Sequence, residues 1–329
     1  MKVIIYYISV ILAYSTVHLK MIPLNDMIDV KIMFIIFIIE IFILMFISVL
    51  IILLIVFKRT LHSSTNLLFC NTSMAIILYF TIIMIKTSLL YNGSTYSNWW
   101  CRILAYVDYV FLNMIYYSIV IQALSRLFLI VFNTHRHLLK YRFHIILIIL
   151  QILISFLLPI SVLITKDVVF VPFILCYVPH TKIIHMSYIF ISTYFAPLFI
   201  VIIIYGVIYC RVIRSSTTSR QPSHAHRRDL ELIRNILILL VILIIAGTPV
   251  LIVVIVTMTT KFRSLTFYLF PVVVGPFMAI IETIYSIYLN KDIRRETKKL
   301  LGQLHLIHPS NQVTVFTSPT THVANIEIH

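Results

Sequence analysis

The chain has 329 residues, of which 61% are hydrophobic and only 11% are charged, and its net charge is +15 at pH 7. A soluble domain of this length needs a charged surface, and this chain has too few charged residues to cover one, so a soluble globular protein is excluded. The apolar runs are continuous rather than alternating, which excludes the strands of a membrane barrel and predicts a bundle of membrane-spanning helices.

Two short segments precede the first long apolar run. Residues 1–16 begin with Met1 and Lys2, continue with a short apolar run and end near the small residues Ala13 and Ser15, a pattern that resembles a signal peptide. An ordered or interfacial N-terminal segment is the open alternative, because the run is too short to span a bilayer comfortably. Residues 17–31 are predicted to form an extracellular tail.

Seven long apolar segments follow, and they are the predicted membrane spans because each reaches or exceeds the roughly 20 residues that cross a bilayer. We call them the first to seventh spans; in chain order they are residues 32–57, 66–90, 102–131, 143–165, 185–210, 231–258 and 265–289. Most connections are short, but residues 211–230 are polar and are predicted to form a flexible loop.

The chain after the seventh span has two parts. Residues 290–301 combine basic residues with Ile293, Leu300 and Leu301, which suits an amphipathic helix on an anionic leaflet and completes a predicted membrane domain over residues 32–303. Residues 304–329 are predicted to be a disordered cytoplasmic tail. Phosphorylation of its serines and threonines would create a negative patch that recruits a basic partner. A disordered tail that is not phosphorylated and recruits no partner is the open alternative.

Basic residues alternate between the two sides of the predicted bundle. Lys and Arg number two in 58–66, three in 132–144, six in 210–234 and five in 290–303, against none in 91–100 and two each in 166–184 and 259–264. This positive-inside pattern places the N-terminus outside and the C-terminus in the cytoplasm. It also accounts for the net charge without nucleic-acid binding, since no basic patch shares a soluble domain with aromatic residues.

Two of the four cysteines lie on the predicted outer side. Cys101 opens the third span, and Cys176 lies in the loop 166–184. Both face an oxidising compartment, so we predict a disulfide that ties the loop over the bundle, with two free thiols as the alternative. Asn92, in the sequence Asn-Gly-Ser, is a predicted glycosylation site on the same side.

Charged residues inside the spans are costly in lipid and indicate a partner or a task. Arg126 lies at the end of the third span. Asp108 lies about two helical turns after Cys101, and Lys86 lies in the outer half of the second span, within plausible reach of Asp108. Because an unpaired buried carboxylate is expensive, an ion pair between Lys86 and Asp108 is predicted.

Several further residues follow a shared order and spacing. Arg126 comes 25 residues after Cys101. The fifth span contributes Pro197 and Tyr205. Asp229 lies just before the sixth span and twenty residues before Pro249, and residues 284–291 lead out of the seventh span. Over about residues 32–303, this pattern resembles a rhodopsin-like G-protein-coupled receptor, whose disulfide cysteine and activation arginine stand at the same interval.

The chain departs from the family pattern at several positions, and it resembles a divergent member. Ser125 stands where the family has an acid before its arginine. Ser48 stands in place of the first-helix asparagine, and Ile76 stands in place of the second-helix aspartate. Gln151 and Gly247 stand in place of the fourth-helix and sixth-helix tryptophans. Glu282-Thr283 stands in place of the seventh-helix Asn-Pro pair. The family's sodium site and tryptophan toggle are therefore not carried over to this chain.

The resemblance implies an activation switch at the inner ends of the spans, formed by Arg126, Asp229, Tyr205, Pro249 and Tyr285. In the resting bundle Arg126 is expected to pair with Asp229. Breaking that pair would release the sixth span, which is a rigid-helix motion between two packed states. An arginine that reaches lipid phosphates is the alternative.

Ligand-binding residues are predicted in the outer halves of the spans: Asp108, Lys86, Tyr106 and Tyr109. Asp108 stands at the interval where amine receptors of the family bind an ammonium group. Aliphatic residues follow the sixth-span proline, at the place where amine receptors of the family have aromatic residues. The tyrosine-rich outer halves therefore fit a larger, peptide-like ligand better than an amine. Anchoring at the membrane interface is the open alternative for the tyrosines.

The resemblance thus predicts a ligand-activated receptor at the plasma membrane. The expected partners are an extracellular peptide or small molecule, a heterotrimeric G protein, arrestin after phosphorylation of the tail, and membrane lipids. No cofactor and no enzymatic activity are predicted. A transporter or channel of seven spans is the alternative, although no internal repeat is present. A retinal-binding opsin is excluded because residues 265–289 contain no lysine.

Overall fold

The computed structural model describes part of the chain: residues 24–58, 61–91, 98–132, 137–138, 140–165, 167–171, 175–178, 182–218, 224–259, 265–290, 292–297 and 299. Three predicted features lie outside these residues, namely the signal peptide at 1–16, the glycosylation site at Asn92 and the tail at 304–329. Asp229 lies in a described helix, but its side chain is outside the described part.

All seven predicted spans are helical, which confirms the predicted helix bundle. Five described helical stretches are long and apolar enough to cross a membrane, and the shorter apolar stretches Leu240–Val253 and Val273–Leu289 lie in the sixth and seventh spans. The helices of the seven spans are, in order, Leu24–Phe57, Ser64–Tyr91, Asn98–Ile130, Tyr141–Leu157 with Ile160–Ile164, Ile183–Phe190 with Ala196–Thr218, His224–Thr259 and Leu265–Leu289.

The third span is central to the bundle. It packs against the second, fourth and fifth spans, while the first span packs against the second and the seventh. Cys101 lies near the start of the third span and Arg126 near its end. We call the two ends of the bundle the disulfide end, which carries Cys101, and the arginine end, which carries Arg126.

A short hairpin covers the disulfide end. The sequence predicted only a loop there. Its strands β1 (Val169–Val171) and β2 (Leu175–Tyr177) pair antiparallel, with Phe170 opposite Cys176. The β-branched and aromatic residues of this stretch favour an extended backbone. Cys176 forms a disulfide with Cys101, with their Cα atoms 5.1 Å apart, so the predicted disulfide is confirmed.

The fourth span breaks at Pro159, which has no backbone N–H to donate. Such a break frees carbonyl groups in a region without water, where each unsatisfied group is costly. Tyrosine hydroxyls satisfy two of them, because Tyr106 donates to the Phe156 carbonyl and Tyr188 donates to the Leu158 carbonyl, each at 3.0 Å. The third and fifth spans are thereby hydrogen-bonded to the fourth at its break.

The fifth span contains a π-helical turn, Ile191–Phe195, shortly before its proline. A π turn inserts an extra residue and changes which side chains face the bundle. Tyr194 is buried here, and its hydroxyl donates to the Leu243 carbonyl of the sixth span at 3.2 Å. Its ring occupies the space over Gly247, where any Cβ would overlap it. A glycine is needed at 247 because a tyrosine from another span fills the place of its side chain.

We expect Gly247→Ala to lower the free energy of unfolding by about 1–3 kcal/mol, because the added methyl group collides with the Tyr194 ring in a packed interior. Thermal unfolding of the purified protein in detergent measures this loss. Gly206→Ala is the matched control, since no atom lies within 4 Å of a Cβ at that position. Equal stability of the two variants would contradict the packing of Tyr194 on Gly247.

Residues 292–297 form a helix beyond the seventh span, where the sequence predicts an amphipathic helix. Ile293 is fully buried in a cluster with residues of the first span such as Ile51. Asn290 caps this helix by accepting a hydrogen bond from the Ile293 N–H at 3.2 Å, and its Nδ2 donates to Asn66 Oδ1 at 2.6 Å. The helix is therefore fixed against the first and second spans.

Candidate functional site

A cavity of about 450 Å³ lies inside the bundle between the first, second, third, sixth and seventh spans. Lys86 and Asp108 line it toward the disulfide end, and Thr72 and Gln122 line it toward the arginine end. Glu282 lines it as well. Most of the other lining residues are apolar, which is the usual character of a small-molecule site with a few polar groups.

Lys86 and Asp108 meet in this cavity, so the predicted ion pair is confirmed. Lys86 Nζ donates to Asp108 Oδ2 at 2.7 Å, and the two side chains are 10% and 21% exposed. Asp108 Oδ1 is buried and has no hydrogen-bond partner among the described residues. The carboxylate therefore keeps one free acceptor within the protein interior. Binding of a ligand by these two residues stays a prediction.

The two tyrosines of the predicted ligand site are not among the described residues that line the cavity. Tyr106 lies on the flank of the bundle, where its hydroxyl is bonded to the fourth span, and Tyr109 packs against the cluster around the disulfide. Tyr79 and Tyr116 line the cavity instead. Sequence spacing could have indicated them, because each lies about two helical turns from a charged lining residue, Tyr79 from Lys86 and Tyr116 from Asp108.

Polar side chains join the second, third and fourth spans below the ion pair. Gln122 Nε2 donates to Thr72 Oγ1 at 2.7 Å. Gln151, which stands where the family has a tryptophan, accepts from Asn71 Nδ2 and donates to the Met114 carbonyl, each at 2.7 Å. Such bonds between helices satisfy polar groups that lipid cannot.

The residue before the arginine has a partner of its own. Ser125 Oγ lies 2.9 Å from His144 Nε2, and His144 Nδ1 lies 3.2 Å from the Lys140 carbonyl. Because a carbonyl only accepts, Nδ1 carries a hydrogen and donates it to Lys140, while Nε2 and the Ser125 hydroxyl share the other hydrogen bond. His144 is buried. A serine bonded to the fourth span therefore replaces the acid of the family pattern, so Arg126 has no acidic neighbour before it.

Arg126 is partly buried, and its Nη1 donates to the Tyr205 hydroxyl at 3.4 Å. Two residues of the predicted switch thus lie together. The pairing of Arg126 with Asp229 stays a prediction, because the side chain of Asp229 is not among those described. Pro249 lies within the continuous helix His224–Thr259, and the Tyr285 ring stacks on Tyr288 with centroids 6.3 Å apart.

A charged cluster joins the chain on either side of the hairpin at the disulfide end. Asp167 forms an ion pair with Lys182 Nζ at 3.2 Å and a hydrogen bond with His185 Nδ1. Desolvation opposes the charge of Asp167, but the hydrogen bonds from Lys182 and His185 outweigh it and hold the pKa of this carboxyl below its ordinary value. The ionised form of Asp167 therefore stabilises the closed hairpin.

The lowered pKa of Asp167 gives this cluster a pH dependence of defined sign. Its stabilisation is fully present above the unfolded-state pKa of about 3.9 and is lost as the pH falls through the lower folded-state pKa. We expect the difference in unfolding temperature between the wild type and Asp167→Asn to shrink below about pH 4. Melting curves of both proteins at falling pH measure it, and a difference that persists in strong acid would contradict the pairing.

These features define a class of protein: a multi-pass membrane protein with a disulfide-tied hairpin over one end, a central cavity and a partly buried arginine at the other end. The family model described as 7 transmembrane receptor (rhodopsin family) matches residues 48–285, which is most of the chain. The chain belongs to this family of seven-transmembrane signalling receptors. No curated protein matched the chain. Since the family consists of receptors, the transporter alternative is set aside.

Proposed function

We propose that the protein is a ligand-activated receptor of the plasma membrane that signals to a heterotrimeric G protein. In this proposal the N-terminus and the disulfide end face outward, and the arginine end and the C-terminus face the cytoplasm. The alternation of basic residues along the chain supports this orientation. The disulfide supports it as well, because such bonds persist in oxidising compartments.

The contact of Arg126 with Tyr205 is the observation that carries the proposal. None of the ion pairs among the described side chains involves Arg126, and its hydrogen bond links the third span to the fifth. Asp229 of the sixth span is its proposed partner in the resting state. Exchange of Arg126 between these two partners is the kind of two-state element on which receptor switching depends.

The central cavity is the proposed ligand site, with Asp108 and Lys86 as the proposed contacts for a peptide-like ligand. Tyr106 and Tyr109 do not line the cavity, so we propose that they support its wall. The loops at the arginine end, which are rich in basic residues, suit both an acidic partner surface and the anionic leaflet. Glycosylation at Asn92 and recruitment of arrestin by a phosphorylated tail complete the proposal.

Nucleotide exchange on a panel of G proteins tests the proposed coupling without a known ligand. Membranes carrying Asp229→Ala are expected to show basal exchange about 5-fold or more above wild type, since coupling free energies of this size are typical of switches. Adding Arg126→Ala to that variant is expected to abolish the gain, because the arginine is then absent from both states.

Asp292→Ala is the matched control, since it removes an exposed carboxylate at the same end of the bundle. All variants are compared at equal amounts of receptor in the membrane. If neither the wild type nor Asp229→Ala stimulates any G protein, the proposed coupling is wrong. If Asp292→Ala raises exchange as much as Asp229→Ala does, the effect comes from the loss of any acid at this end rather than from the proposed pair.

A further inference from the structure

The ion pair in the cavity has a consequence for the kind of ligand that fits. We propose that Lys86 and Asp108 select ligands by net charge: the pair admits a zwitterion that carries an ammonium group and a carboxylate close together, and it rejects amines and carboxylates with a single charge. This inference rests on the proposed function, because it takes the cavity as the ligand site, and it narrows the peptide-like ligand proposed there to a small, amino-acid-like zwitterion.

The pair is enclosed, and its hydrogen bonding is incomplete. Lys86 is 8% exposed, and the hydrogen bond to Asp108 Oδ2 at 2.7 Å uses one of the three hydrogens of its ammonium group. Asp108 Oδ1 is buried without a partner among the described residues. The cavity wall therefore offers one unused acceptor beside a cation with donors to spare, which complements a ligand that has a donor next to an acceptor.

A single charge on the ligand upsets the balance of this pair. An amine at Asp108 either displaces Lys86, which leaves a buried cation without a partner, or shares the carboxylate with it, which brings two cations together. Removing one partner from a buried pair is strongly unfavourable. A carboxylate that binds Lys86 either displaces Asp108, which leaves a buried anion without a partner, or shares the ammonium group with it, which brings two anions together. Lys86 thus works against the binding of an amine by Asp108.

A zwitterion avoids both problems. Its ammonium group can donate to Asp108 Oδ1 while its carboxylate accepts from the remaining hydrogens of Lys86. The four charges then alternate in sign and sum to zero, so no charge is left buried and unpaired. Specificity of this kind comes as much from the penalty on the wrong ligand as from contacts with the right one.

Glu282 is the other acid among the described residues that line the cavity. None of the ion pairs among the described side chains joins Glu282 to Lys86, whose ammonium group is paired with Asp108. An amine drawn to Glu282 instead of Asp108 would be revealed by Glu282→Gln, which keeps the shape of the side chain and removes its charge.

The test measures binding to the purified full-length protein in nanodiscs, by ligand-observed NMR and by the shift in unfolding temperature. Three probes share one phenyl group: phenethylamine as the cation, 3-phenylpropanoate as the anion and phenylalanine as the zwitterion. Lys86→Met is expected to raise the affinity for phenethylamine about 100-fold over wild type, since the amine then becomes the partner of Asp108. Lys140→Met removes an exposed lysine at the arginine end of the bundle and is expected to leave phenethylamine binding unchanged.

A second variant covers the case in which Lys86→Met does not fold. The double variant Lys86→Glu with Asp108→Lys keeps a neutral pair with its charges exchanged, and it is expected to fold and still prefer phenylalanine to both singly charged probes. A preference of this variant for either singly charged probe would overturn the inference.

Three other results would also overturn it. They are a wild type that binds phenethylamine as tightly as phenylalanine, a folded Lys86→Met variant without any gain at millimolar probe, and a gain that disappears when Glu282→Gln is added. The assay contains no G protein, so its outcome is independent of the exchange measurement. If the protein selects ligands by charge but stimulates no nucleotide exchange, only the proposed coupling is contradicted. If it stimulates nucleotide exchange but does not select ligands by charge, only this inference is contradicted.

Discussion

The lack of water in the membrane interior is the constraint on which the rest of the structure depends. Every backbone group in a span must find its partner within the protein. The break of the fourth span at Pro159 shows how this works, because the hydroxyls of Tyr106 and Tyr188 bind the carbonyls beside the break. A proline that would only weaken a helix in water here fixes the third and fifth spans against the fourth.

The same constraint explains why three of the departures from the family pattern have a compensating partner on another span. Gln151 is bonded to the second and third spans, Ser125 is bonded to a buried histidine of the fourth, and Gly247 receives a tyrosine of the fifth. Each change leaves either a polar group that must be satisfied or a space that must be filled. The divergent residues therefore have to change together with their neighbours, and the bundle keeps its packing by doing so.

The third span links the candidate ligand site to the arginine end. Asp108 and Arg126 lie 18 residues apart on one continuous helix, which is about 27 Å along its axis. Between them this helix contacts the cavity, the polar side chains of the second span and the Gln151 amide. A ligand at Lys86 and Asp108 would therefore act on the same rigid element that holds Arg126 against the fifth span.

The sequence by itself determined the seven spans, the disulfide and the Lys86–Asp108 pair, because span length, cysteine position and the cost of a buried charge can all be judged locally. Only the tertiary structure decided that Tyr79 and Tyr116 rather than Tyr106 and Tyr109 line the cavity. The physical reason is that these helices are apolar toward lipid as well as toward the core. Without a polar face the sequence carries little information about helix rotation, and packing between spans decides which side chains meet.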